Sequence, residues 1–122
     1  MDWKYLKDKI LVFGVDDYVF ADMFISIISE NEDNKIENLK IAIFKMLQEL
    51  MNENLIDVFV LENKVYMNKT VVDNIFYKYE TEQDIENFVR KVDREWALIN
   101  YQLPRPNELF WITTNEKGKL LI

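Results

Sequence analysis

The side chains that could do chemistry in this chain are carboxylates. Asp16 and Asp17 are adjacent, and a second group of acids alternates along the chain at Glu80, Glu82, Asp84 and Glu86. Two carboxylates that are buried together can act as an acid and a base. Both groups, however, stand where helices are expected to begin, and acids there favour the helix dipole and accept hydrogen bonds from free amides. We therefore interpret them as helix-capping groups and expect no catalytic residue.

The composition excludes the commoner kinds of catalytic and cofactor-binding site. The 122 residues include no histidine and no cysteine, so the chain lacks an imidazole base, a thiol nucleophile and the best ligands for transition metals. With only Gly14 and Gly118, neither a phosphate-binding loop nor a dinucleotide fingerprint can be written. The oxygen-rich segment 30–34 has no glycine for the bend of a calcium loop. We expect a protein that is not an enzyme and binds no metal and no cofactor.

The charge balance points to the kind of partner. Asp and Glu number 22 against 15 Lys and Arg, a net charge of −7, and residues 1–60 hold 12 acids and 6 bases. Such a field repels polyanions and attracts basic proteins, so we expect no nucleic acid and no membrane partner. No apolar run reaches the roughly 18 residues of a membrane span, and the charged N-terminus is unlike a signal peptide. A cytoplasmic protein is the expectation.

Apolar spacing predicts four helices. The first covers residues 3–13 and stops at Gly14, and Asp16 or Asp17 caps the second, over 18–29. The third begins at Ile36, is apolar over more than half its circumference, and ends at the asparagines of 52–54, which suit a left-handed cap. The fourth begins after Thr81, which stands three residues before Asp84 in a capping box, and continues to about Asn100.

The rest of the chain alternates between strands and turns. We expect a hairpin from residues 55–61 and 65–67 around a turn at 62–64, a strand at 109–113, a turn at 115–118 and a returning strand at 120–122. Residues 70–79 fit a short helix, which we favour, although β-branching at 70–72 favours a strand. Residues 1–122 are predicted to form one α+β domain, mainly helical.

Residues 36–119 resemble small bacterial proteins of the winged-helix type. Three helices, the last ending in ELMNENLI, lead to a hairpin at the wing position. Glu95-Trp96, the prolines 104 and 106, and the WxTxxxKG pattern beginning at Trp111 complete the likeness. Asn54 stands where the resembling proteins commonly have glycine. The resemblance implies a winged-helix-like domain with a β-hairpin.

Some of the resembling proteins are immunity partners of contact-dependent or polymorphic toxins. The resemblance, together with the acidic charge, implies a protein that binds a basic toxin domain, expected to be a nuclease, and blocks its active or substrate face. We expect the free protein to be a monomer or a weak dimer. The predicted contacts are a set of acids and a second patch in which Trp111 either is exposed or packs against a helix: Asp16, Asp17, Glu30, Glu32 and Asp33, then Arg105 and Trp111.

The alternative is a winged-helix transcription regulator or adaptor that binds DNA. A DNA-reading winged helix needs Lys and Arg on its third helix. Here the lysines of residues 35–53 are balanced by an equal number of glutamates. DNA binding would then fall to a basic cluster on the fourth helix, at Arg90, Lys91 and Arg94.

Overall fold

The computed structural model describes residues 3–30, 36–66, 69–77, 81–105 and 108–122, with side chains described outside 36, 60–66, 69–77 and 82. These ranges form an α+β structure, as predicted. Its elements follow one another in the order α1 Trp3–Asp16, β1 Val19–Phe20, α2 Ala21–Ser29, α3 Ile36–Asn52, β2 Ile56–Tyr66, β3 Lys69–Tyr77, α4 Glu82–Ala97, β4 Phe110–Thr114 and α5 Glu116–Lys119.

The described strands form one antiparallel sheet in the order β1-β4-β2-β3. In its register, Val19 and Val58 flank Ile112, and all three side chains are fully buried. The next row along consists of Phe20, Trp111 and Phe59. Because successive side chains of a strand point to opposite faces, the aliphatic row faces the core and the aromatic row lies on the other face.

Helices α1 to α4 pack their apolar stripes against the core face of the sheet. Phe110 of β4 lies at the centre, with its ring edge-to-face to Phe24 at 5.6 Å and to Phe88 at 6.1 Å between centroids. Trp96 lies in the last turn of α4, and its indole nitrogen donates a hydrogen bond to Gln102 O at 2.8 Å. A single cluster of buried side chains joins these elements.

Two helix ends follow the capping chemistry read from the sequence. Thr81 Oγ1 accepts a hydrogen bond from Asp84 N at 3.2 Å and caps α4. At the end of α3, Asn54 adopts φ 56°, the left-handed conformation that Asn tolerates better than most residues. Leu55 N then donates to Leu50 O at 3.0 Å, which closes the last turn and turns the chain into β2.

The segment between α1 and α2 differs from its prediction. Gly14 does not end the first helix, which continues to Asp16; it lies where α1 contacts β4, and an added Cβ there would come within 2.6 Å of Thr114 Oγ1. Val19 and Phe20 form a short strand instead of the first turn of α2. Neither aspartate caps α2, because its N-cap is Phe20, which makes no side-chain capping bond.

The hairpin and the C-terminus also differ. Residues 62–64, expected as a turn, lie inside β2, which pairs with β3 from Val58 to Tyr66. The favoured helix over 70–79 is wrong for residues 70–77, since Lys69–Tyr77 is a strand, and residues 78 and 79 lie outside the described residues. The β-branching at 70–72 was the better indicator. Residues 115–118 enter a short helix capped by Asn115, whose Oδ1 accepts from Gly118 N at 2.9 Å, and no returning strand forms over the described residues 120–122.

Candidate partner-binding site

Two of the predicted acids lie together at one end of the sheet. Asp16 is the last residue of α1 and Asp17 follows it, and both are exposed. Asp17 Oδ1 accepts a hydrogen bond from Tyr18 N at 2.8 Å, which fixes the bend between α1 and β1.

A cleft of about 500 Å³ opens beside these aspartates. We call it the acidic cleft, and its charged lining is Asp16, Asp17, Asp57, Glu116 and Lys119. Three parts of the chain build it: the end of α1, the strands β2 and β4, and α5. Four acidic residues and one lysine line it, and the lysine is already paired, since Lys119 Nζ lies 3.1 Å from Glu116 Oε1. The cleft is therefore strongly anionic.

Asp57 is the carboxylate that its surroundings perturb. It lies on β2 opposite Thr113 of β4, and both residues line the acidic cleft. Burial raises the pKa of the Asp57 carboxyl above its ordinary value of 3.8, because desolvation disfavours the charged form. No basic side chain in the described part of the chain pairs with Asp57. A cation brought into the cleft would therefore stabilise the ionised carboxylate in place of the water that burial removes.

Aromatic rings continue the site along the outer face of the sheet. We call Tyr18, Phe20, Phe59 and Trp111 the aromatic patch. The rings of Phe59 and Trp111 are stacked at 5.7 Å, and Tyr18 meets both of them edge-on at 6.0 Å. Phe20 meets Trp111 at 6.0 Å on the other side. Tyr18 is 49% exposed and also lines the acidic cleft, so it joins the two surfaces.

Trp111 lies at the base of this patch. It is only 7% exposed, and it packs against aromatic side chains from β1, β2 and the segment before β1. Trp111 is therefore neither exposed nor packed against a helix, the two arrangements expected from the sequence. Its indole N–H has no hydrogen-bond acceptor among the described groups. Trp111 is therefore the buried ring of the patch, and Tyr18 is the exposed ring that a partner can contact.

The other predicted contact residues lie elsewhere. Glu30 is exposed at the end of α2, where its N–H donates to Ser26 O at 3.1 Å. Arg105 is exposed in the loop before β4, and its backbone N–H donates to Glu108 Oε1 at 2.8 Å. Neither lines the acidic cleft. Glu32 and Asp33 lie outside the described residues.

Sequence reasoning missed Tyr18, Phe20, Asp57, Phe59 and Glu116. The first two were placed in a helix, and Glu116 was read as part of a turn. Asp57 did carry a signal, because a single acid in the apolar run IDVFV marks the solvent side of a half-buried strand.

Several basic residues of the helices already make contacts. Lys40 Nζ of α3 lies 3.1 Å from Asp93 Oδ1 and 3.2 Å from Tyr101 Oη, and Lys45 lies over the Trp3 ring at 5.0 Å. On α4, Arg90 pairs with Glu86 at 3.6 Å.

Metal-ligand clusters and membrane-spanning helices are both absent from the described ranges. No three carboxylates there stand close enough to hold a metal ion. No helix within those ranges is long and apolar enough to cross a bilayer.

Similarity to known proteins gives no information about this site. No protein-family model, curated protein or solved structure matches this chain. What the arrangement can do chemically is bind: it offers unpaired negative charge next to a partly exposed aromatic surface.

Proposed function

We propose that this chain is an acidic immunity protein that binds a basic toxin domain, expected to be a nuclease, and covers its active or substrate face. The observation that carries the proposal is the acidic cleft lying against the aromatic patch. Complementary charge speeds the encounter of two proteins, and desolvated aromatic side chains supply much of the energy that holds an interface together. The site combines both, and the net charge of −7 extends the attraction to long range.

We also infer a winged-helix-like domain. Helices α1, α2 and α3 are followed by the hairpin of β2 and β3, which is the order that the resemblance implies. The order of elements supports this inference, and in the sheet β4 lies between β1 and β2.

The order of elements also favours the second candidate, a DNA-binding regulator or adaptor. The charge distribution supports DNA binding less well than it supports binding of a basic protein. The lysines of α3 at positions 40 and 45 already contact Asp93 and Trp3, and Arg90 is held by Glu86. A helix that binds phosphates needs free cations along one face, so the immunity proposal takes first place.

The test begins with a tagged copy recovered from its source cell, followed by identification of co-purifying products of neighbouring genes. The expected result is one basic protein in an equimolar complex, toxic when expressed alone and harmless when this chain is co-expressed. A set of substitutions that removes charge from the cleft, Asp16→Asn, Asp17→Asn and Glu116→Gln, should lower the association rate by about tenfold or more at low salt.

The matched control removes the same charge from exposed acids that do not line the cleft, Asp8→Asn, Glu37→Gln and Glu95→Gln. Its association rate should fall much less. Equal losses for the two sets would count against the cleft as the contact surface. Recovery of nucleic acid or polymerase components, with an affinity for duplex DNA that falls steeply with salt, would replace the immunity proposal with the regulator.

A further inference from the structure

The junction between the acidic cleft and the aromatic patch is more specific than an anionic surface requires. Tyr18 belongs to both, with its ring edge-on to Phe59 and Trp111 at 6.0 Å, and it is among the residues that line the cleft with Asp17 and Asp57. Since Tyr18 is 49% exposed, a large part of its ring is open to an incoming group. One aromatic residue and two acidic residues thus line the same hollow.

We propose that this junction receives an arginine side chain of the basic partner, whose guanidinium stacks on Tyr18 and pairs with Asp17 and Asp57. The identity of that partner rests on the proposed function, whereas the chemistry of the junction is independent of it. The four carboxylates and one paired lysine of the cleft select a cation, and the volume of about 500 Å³ leaves room for a long side chain.

Arginine fits the junction better than lysine for two physical reasons. A guanidinium is planar, so it stacks on an aromatic ring while its edge keeps its N–H donors for carboxylates. It also binds a carboxylate through two parallel hydrogen bonds, which a compact ammonium cannot do. Asp57 is half-buried and has no cationic partner in the described part of the chain, so a guanidinium brought to it replaces lost hydration with hydrogen bonds.

The existing charges of the cleft do not block this contact. Lys119 is turned to Glu116, with 3.1 Å between Nζ and Oε1, and Asp17 uses Oδ1 to accept from Tyr18 N. The second oxygen of Asp17 makes no hydrogen bond among the described contacts. A second hollow of about 310 Å³, lined by Val12, Val15 and Ile122, shares Asp16 and Lys119 with the cleft and offers an apolar seat to a neighbouring partner side chain.

The experiment titrates the whole chain with a short glycine-serine peptide that carries several arginines and with its twin in which every arginine is lysine. Isothermal titration at low salt gives the affinities, and amide resonances of residues 17, 18, 57 and 113 locate the binding. The arginine peptide should bind about fivefold more tightly than the lysine peptide. Tyr18→Leu should abolish that preference, whereas Tyr18→Phe keeps it because the stacking ring remains.

Asp57→Asn should weaken the arginine peptide several-fold, while Glu95→Gln, which removes an exposed charge outside the cleft, should change little. Equal affinity for the two peptides, or an arginine preference that survives Tyr18→Leu, overturns the inference. A toxin complex that is unaffected by Tyr18→Leu would overturn it too and leave the immunity proposal standing. Arginine selectivity at the junction without any toxin partner would uphold the inference and remove the immunity proposal.

Discussion

At the scale of single residues, Asp57 has the environment that most distinguishes the site. Asp57 lies near the start of the strand β2 rather than at an exposed helix end, and its neighbouring side chains Ile56 and Val58 are fully buried. Desolvation raises its pKa, and no described cation compensates. Such a perturbed carboxyl in a cleft is a common mark of a functional position. The Asp57 carboxyl has the environment of a group that a bound cation would stabilise.

The raised pKa of Asp57 leads to a prediction about stability and pH. Because the folded state holds this proton more tightly than the unfolded state does, the ionised carboxylate lowers stability at neutral pH, and that cost disappears as the pH falls through the raised pKa. Asp57→Asn should therefore raise the free energy of unfolding at pH 7, by less than about 0.5 kcal/mol because water still reaches the group. Urea unfolding across the acid range measures this.

Asp8→Asn, on an exposed position of α1, controls for the loss of one negative charge. The gain from Asp57→Asn should shrink towards zero in acid, when the wild-type carboxyl is protonated. A gain that is constant with pH would contradict the assignment of the effect to Asp57 ionisation.

At the scale of elements, close packing around Thr114 positions the cleft. Thr114 Oγ1 donates to Leu11 O of α1 at 2.6 Å, and Gly14 and Gly118 approach the same threonine from α1 and α5. Asn115 N donates to Leu55 O at 3.1 Å, and Asn115 Nδ2 donates to Asn54 O at 2.8 Å. These contacts hold α5, and with it Glu116, against the other walls of the cleft.

Gly118→Ala tests this packing. The added Cβ would clash with Leu55 O and lie 2.6 Å from Thr114 Cγ2, and a backbone oxygen cannot move aside as a flexible side chain can. The expected loss of unfolding free energy is about 1–3 kcal/mol, even though alanine is the better helix former. Chemical denaturation measures it, with Leu120→Ala as the control because Leu120 is 85% exposed. A Gly118→Ala variant as stable as the wild type would mean that α5 is not packed this closely.

Thr81 carries a second prediction at this scale. Thr81→Ala removes the oxygen that accepts from Asp84 N and should lower the unfolding free energy by about 1 kcal/mol. Thr81→Ser keeps that oxygen and should retain most of the stability, while Gln83→Ala at an exposed neighbouring position controls for general effects in the first turn. If the serine and alanine variants lose the same amount, capping is not the role of Thr81.

At the scale of the whole molecule, one cluster of buried side chains joins α1, α2, α3, α4 and the sheet. Charged pairs at its edge connect the helices further: Lys7 of α1 contacts Glu49 of α3 and Glu53 directly after it, and Lys40 of α3 contacts Asp93 of α4. Helices α1 to α4 therefore share their apolar contacts with one another and with β1, β2 and β4.

Unfolding should therefore occur as one cooperative transition. Near-ultraviolet circular dichroism, which reports the packing of the buried tryptophans, and far-ultraviolet circular dichroism, which reports the helices, should give the same urea midpoint. Ile112→Ala in the core row should lower that midpoint for both probes together, by an amount equivalent to about 2–5 kcal/mol. Two separate midpoints would show that part of the structure unfolds independently and would contradict the shared core.

The sequence by itself determined the features that depend on neighbours along the chain. Helical periodicity identified α1, α3 and α4, local hydrogen bonding identified the Thr81 cap and the left-handed Asn54, and composition established the acidic charge. Such features need only side chains a few residues apart, whose spacing is visible in the sequence.

Only the tertiary structure decided which strands pair and what their two faces contact. β1 pairs with β4 across more than ninety positions of sequence, and β4 pairs with β2 on its other side. Together these pairings align Phe20, Trp111 and Phe59 and bring Asp16, Asp57 and Glu116 to one cleft. Residues 70–77 form a strand because β2 provides a pairing partner, despite apolar spacing that fits a helix. Strand pairing is a contact between distant segments, so short-range patterns suggested the aspartates at 16 and 17 but could not assemble the site around them.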